Sequence, residues 1–164
     1  MGVQALGYVV IETAQPEKWH DFLTEMAGAM RAEDAADGAA QYRIDERPFR
    51  FRVEPSSREW LQAAAYRVTD RDGLERMAKA IESAGHAVSF LNDSEAEVRH
   101  VRAAFRTADP AGNGLEFYYG DSTAELPFVS PLGISNFVTG DMGMGHAVFS
   151  APNFDETVAF YRDV

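Results

Sequence analysis

The segment Gly143-Met144-Gly145-His146-Ala147-Val148-Phe149-Ser150 carries the side chain best suited to chemistry. An imidazole on an apolar strand can offer one neutral nitrogen to a divalent metal. Side chains alternate along a strand, so Val148 shares the face of His146. That face could line a pocket or lie in a core, and a lone histidine on an apolar strand is commonly a structural residue. The other three histidines offer less. His20 sits in a helical stretch, His86 just before a strand and His100 within one, with no pair at His-x-His or His-x3-His spacing. The chain has no cysteine, which removes thiolate ligands, disulfides and cysteine nucleophiles. Asp93, Glu95 and Glu97 lack the spacing of an EF-hand loop. Gly140, Gly143 and Gly145 run in the reverse order of a dinucleotide loop and precede a strand. No Gly-x-Ser-x-Gly elbow is present.

The elements that must position these residues follow from periodicity. A strand is predicted over 3–12. Pro16 then opens a helix whose Trp19, Phe22, Leu23 and Met26 share one face, and Gly28 ends it. Residues 32–40 read as a loop, and 41–44 and 48–53 as strands. In the second of these, Phe49, Phe51 and Val53 alternate with Arg50 and Arg52, which predicts one buried and one wet face. Arg43, Arg47, Arg50 and Arg52 would then pair with carboxylates at the surface. The pattern restarts with a strand at 60–68. A helix capped by Asp70 or Asp72 follows, with Leu74, Met77, Ala78, Ile81 and Ala84 inward and Gly85 as its stop. Strands at 87–91 and 98–107 flank a polar turn at 92–95. Asp109-Pro110-Ala111-Gly112-Asn113-Gly114 is a dense turn signal before a closing strand at 115–119.

This is β-α-β-β-β twice, with two of the three later strands clear in the first copy. Residues 121–142, with Pro127, Pro131, Gly133 and Gly140, read as a linker. A third copy then opens. Slid back by 138 positions, Gly145-His146-Ala147-Val148 falls on Gly7-Tyr8-Val9-Val10, and Phe160 falls on Phe22. The expected organisation is a domain at 1–120, a linker at 121–142, and the first strand and helix of a truncated unit at 143–164. Such a unit would expose Phe149, Phe154, Phe160 and Tyr161 as an apolar patch, so a homo-oligomer is expected. The net charge of -11 argues against non-specific binding to nucleic acid or anionic membranes. No apolar run approaches the ~20 residues of a membrane span. The N-terminus lacks the basic and apolar regions of a secretion signal, so a cytoplasmic location is expected.

Paired βαβββ modules with Asp109-Pro110-Ala111-Gly112-Asn113 ahead of Glu116 and Gly120 resemble the vicinal oxygen chelate superfamily. This is the α+β fold of glyoxalase, bleomycin-resistance proteins and dioxygenases. Within it the chain most resembles the type I extradiol ring-cleaving dioxygenases of the 2,3-dihydroxybiphenyl kind, as their N-terminal half. The linker, Gly-x-Gly-His-x-Val and the Phe160-Tyr161-Arg162-Asp163-Val164 run carry that resemblance.

The resemblance implies Fe(II) held by two histidines and a glutamate, a catechol bound as a chelate, and ring opening by O2. It makes His146 the first metal ligand and Val148 a candidate substrate contact. No catalytic residue is expected within these 164 residues, which alone should be inactive. In the same register Tyr8, Tyr66 and Tyr118, or Glu116 in place of Tyr118, occupy the ligand positions of the first domain. Neutral phenols are poor ligands there, since their pKa lies near 10, and that domain should be catalytically silent. The rival readings are a small-molecule sequestering protein of the bleomycin-resistance type, a non-catalytic assembly module and a glyoxalase-type isomerase.

Overall fold

In the computed structural model, which describes residues 2–163, eight strands form one mixed sheet. Met1 and Val164, the outer ends of the predicted domains, lie outside the described residues. The first module is β1 (Ala5–Thr13), α1 (Pro16–Asp21) running into a π-helical turn (Phe22–Met26), β2 (Met30–Arg31), β3 (Ala40–Arg43) and β4 (Phe51–Pro55). The second is β5 (Trp60–Arg67), α2 (Arg71–Ser83), β6 (Ser89–Phe90), α3 (Asp93–Glu97), β7 (Ala103–Ala108) and β8 (Gly114–Tyr119). Beyond them lie a 3-10 turn (Gly140–Met142) and α4 (Phe154–Asp163).

The sheet order β2-β3-β4-β1-β5-β8-β7-β6 shows the duplication directly. In each module the first strand runs parallel to the last, β1 with β4 and β5 with β8. The two first strands pair antiparallel at the centre. One face carries the helices. Leu23 packs with Leu6, Val9 and Val53, while Leu74, Met77 and Ile81 of α2 pack on Phe105, Leu115 and Phe117. The amphipathic spacing of α2 produces this packing, and Asp70 caps it by accepting from the Gly73 N–H at 2.8 Å. The opposite face is concave, with Tyr8, Val10, Phe49, Ala63, Ala65, Ala104 and Tyr118 as its own core.

Three local expectations differ. The predicted face of the first helix holds at Trp19 and Leu23, which pack on the sheet; Phe22 is 47% and Met26 74% exposed. The π turn, closed by Ala27 N–H donating to the Phe22 carbonyl at 2.9 Å, adds a residue to that turn and rotates Met26 outward. Residues 93–97 form α3 rather than a polar turn. Asn92 and Glu95 make a reciprocal capping box there, a signal present in the sequence. Consequently the following strand starts at Ala103, not at residue 98.

The largest correction concerns the arginines. Arg43, Arg50 and Arg52 are buried, not on a wet face. The sheet curls, so the side predicted to face water lines the cup instead. Carboxylates do pair with these guanidinium groups: Arg50 meets Asp45 at 2.6 Å, and Arg52 meets Glu54 at 2.7 Å and also Asp37.

Candidate functional site

The candidate metal ligand lies outside the cup. Residues 143–150 form no strand; they run along the helix-bearing side with a single bridge, Leu6 to Gly143. A strand forms where backbone groups find a neighbouring ladder, and among the described residues only Leu6 offers one here, accepting from the Met144 N–H at 2.9 Å. The predicted His146 strand is therefore corrected to a bridged, irregular segment. Gly143 is required at the bridge, because a Cβ there would sit 2.1 Å from the Leu6 carbonyl oxygen. The alternation of side chains survives. Ala147 and Phe149 turn inward against the helix-side core, while His146 and Val148 are exposed, Val148 at 83%.

The apolar patch expected from the third copy is also corrected. Phe160 is only 5% exposed, seated among Leu74, Ile81, Phe105 and Phe117, with its ring 4.8 Å from that of His86. Phe149 is half-buried. Phe154 and Tyr161 do stay exposed, at 67% and 46%. The first two modules supply a surface for this helix, which sequence periodicity could not reveal.

Inside the cup the equivalent positions carry different chemistry. Tyr8 and Tyr118 stack at 5.2 Å, and the Tyr8 hydroxyl donates to Glu116 at 2.6 Å. Glu116 also accepts from Arg99 at 2.8 Å and from Arg106 at 2.9 Å. Tyr66 does not join them. A register shift between Val10 and Ile11 in the β1–β5 pairing sets Ala65 opposite Tyr8, while Tyr66 packs beside Phe117 on the helix side. Burial alone would raise the Glu116 carboxyl; the Arg99 charge and the hydrogen bonds from Arg99, Tyr8 and Arg106 outweigh it and hold the group below its usual range. Burial and the neighbouring Glu116 push the Tyr8 phenol well up. Charge-matched donors thus occupy Glu116, which the sequence offered as part of the closing signature and as the alternative to Tyr118. The cup keeps a cavity of about 680 Å³ beside it, lined by Asp37, Glu54, Gln62, Glu95, Arg99 and Arg106.

His20 lies 3.2 Å from the Tyr42 hydroxyl, and His100 is exposed near Phe49. Neither they nor His86 approach His146 as ligands: among the described residues no three His, Asp or Glu side chains group to hold a metal. No helix among the described residues is long and apolar enough to cross a membrane.

Residues 6–55 match the family described as dihydroxybiphenyl dioxygenase BphC D1. Across its whole length the chain is 38% identical to biphenyl-2,3-diol 1,2-dioxygenase of Paraburkholderia xenovorans and covers 55% of that protein. The chain is homologous to the N-terminal half of the extradiol dioxygenases. It is 27% identical over its whole length to an iron-dependent extradiol dioxygenase of Rhodococcus jostii, of which it covers 54%. The crystal structure of BphC, a halotolerant catechol dioxygenase, superposes with a TM-score of 0.94 at 26% identity, over 99% of this chain and 54% of that one. The fold is the vicinal oxygen chelate fold of these extradiol dioxygenases, as the sequence resemblance implied. The chain spans about half the length of the curated relatives it matches.

Proposed function

We propose that these residues serve as the N-terminal part of an Fe(II)-dependent extradiol dioxygenase, which opens a catecholic ring with O2. Residues 1–120 would form its non-catalytic domain and 121–142 a linker. The catalytic domain would begin at 143, with His146 as a metal ligand and Val148 beside the substrate. One observation carries this reading: the superposition on a catechol dioxygenase includes the His146 segment, not the cup alone. The outward aim of His146 and Val148 supports it, since both are accessible to a neighbouring half. Iron, when bound, would supply the centre at which catecholate and oxygen meet. What this chain would add is one neutral imidazole and the face around it; the remaining ligands would come from residues beyond these 164. A cytoplasmic homo-oligomer belongs to the same reading. A sequestering protein or an assembly module is not favoured, because the relatives matched are dioxygenases.

The test is His146→Ala in the full-length dioxygenase. Iron content and ring cleavage should both be lost, while the thermal transition of the N-terminal domain stays in place. Turnover and iron content near those of the parent would refute the assignment of His146.

A further inference from the structure

The turn Asp109–Asn113 does more than join β7 to β8. Asp109, itself buried, accepts from the Ala111 and Asn113 N–H groups, each at 2.9 Å, which is sufficient to hold such a turn. It also accepts from the Tyr161 hydroxyl at 3.1 Å and from the Asn113 amide at 2.8 Å. That same Asn113 amide reaches the Ser150 carbonyl at 3.1 Å. From the other side, Asn153 Nδ2 donates to the Pro110 carbonyl at 2.8 Å. Burial and the adjacent Asp109 carboxylate raise the Tyr161 phenol, so it stays a donor throughout the neutral range. One turn of the second module thus grips the chain at Ser150, Asn153 and Tyr161. Upstream, Leu6 holds Gly143 and Met144. His146 and Val148 lie between the two anchors.

We propose that the Asp109–Asn113 turn is a latch that positions the His146-bearing segment, with Asp109 and Asn113 as its positioning residues. The latch rests on these contacts; what the positioned imidazole does rests on the function proposed above. The nearest held residues, Met144 and Ser150, lie two and four positions from His146, so they limit where its ring can go. The charged acceptor is shielded beneath Tyr161, which strengthens the bond it receives.

The experiment is residue-level amide hydrogen exchange on the 164-residue chain, comparing the parent with Tyr161→Phe and with Asn113→Ala/Tyr161→Phe. The first removes one hydroxyl from a half-exposed ring and leaves the fold intact. Exchange at Met144, whose N–H bonds to Leu6, and at Thr157, whose N–H bonds to Asn153, should rise about tenfold in the single variant and further in the double. Exchange in β1, β5 and β8 should not change. Unchanged exchange at Met144 and Thr157 in the double variant would overturn the latch, as would an equal rise across the whole sheet. In the full-length dioxygenase the double variant should lose Fe(II) faster than the parent. A local exchange rise with iron retention unaffected would uphold the latch and refute His146 as a ligand.

Discussion

Glu116→Ala should unfold the cup at far milder conditions than the parent, and the size of the effect follows from who is left behind. Glu116 is fully buried, and its partner Arg99 has only 3% of its side chain exposed. Arg106 is 41% exposed and can return to water. The substitution therefore strands one guanidinium, that of Arg99, plus the Tyr8 hydroxyl. Breaking a buried ion pair from one side costs about 3–5 kcal/mol, because the remaining charge loses its carboxylate and stays largely out of water. That is a large share of the 5–15 kcal/mol typical of a domain. With a urea slope of about 2 kcal/mol/M, the midpoint should fall by roughly 1.5–2.5 M. Tyr8→Phe removes only one hydrogen bond to a charged acceptor and should cost about 1.5–3 kcal/mol. Acid should act in the same direction. The Glu116 pKa is lowered on folding, so its contribution is present above the unfolded value near 4.3 and is lost as pH falls from there through the folded value. The assay is equilibrium urea unfolding of parent and variants at neutral pH and at about pH 4. A loss below about 1 kcal/mol for Glu116→Ala would refute the claim that this carboxylate holds the cup together.

Phe160→Ala should destabilise the chain by about 3–5 kcal/mol, since the ring fills a closed site against α2 and β7–β8; calorimetry giving a change under about 1 kcal/mol would show that α4 is not docked. The 164-residue chain given Fe(II) and oxygen should not open 2,3-dihydroxybiphenyl, because His146 alone leaves the metal in water; metal-dependent ring-opened product from this chain would refute the division of labour between the two halves.

Much of the architecture was legible in the sequence because it rests on local rules. The β-α-β-β-β order, the cap at Asp70 and the turn at Asp109–Asn113 each follow from periodicity or from one residue's hydrogen-bonding habit. The repeat placed His146 opposite Tyr8, and alternation put Val148 on the same face. The capping box at Asn92 and Glu95 was equally available and defines α3. What tertiary structure decided were the faces. Arg50 and Arg52 look solvated in one dimension, but the sheet curls and buries them against Asp45, Asp37 and Glu54. Tyr66 leaves the cup because the β1–β5 register moves by one residue between Val10 and Ile11, which sets Ala65 rather than Ala64 opposite Tyr8. Phe160 is buried by a surface built from residues 68–117, distant in the chain and invisible to any local window. A side chain's neighbours along the sequence determine which element it joins; only closure of the sheet and docking of the last helix determine whether it meets water.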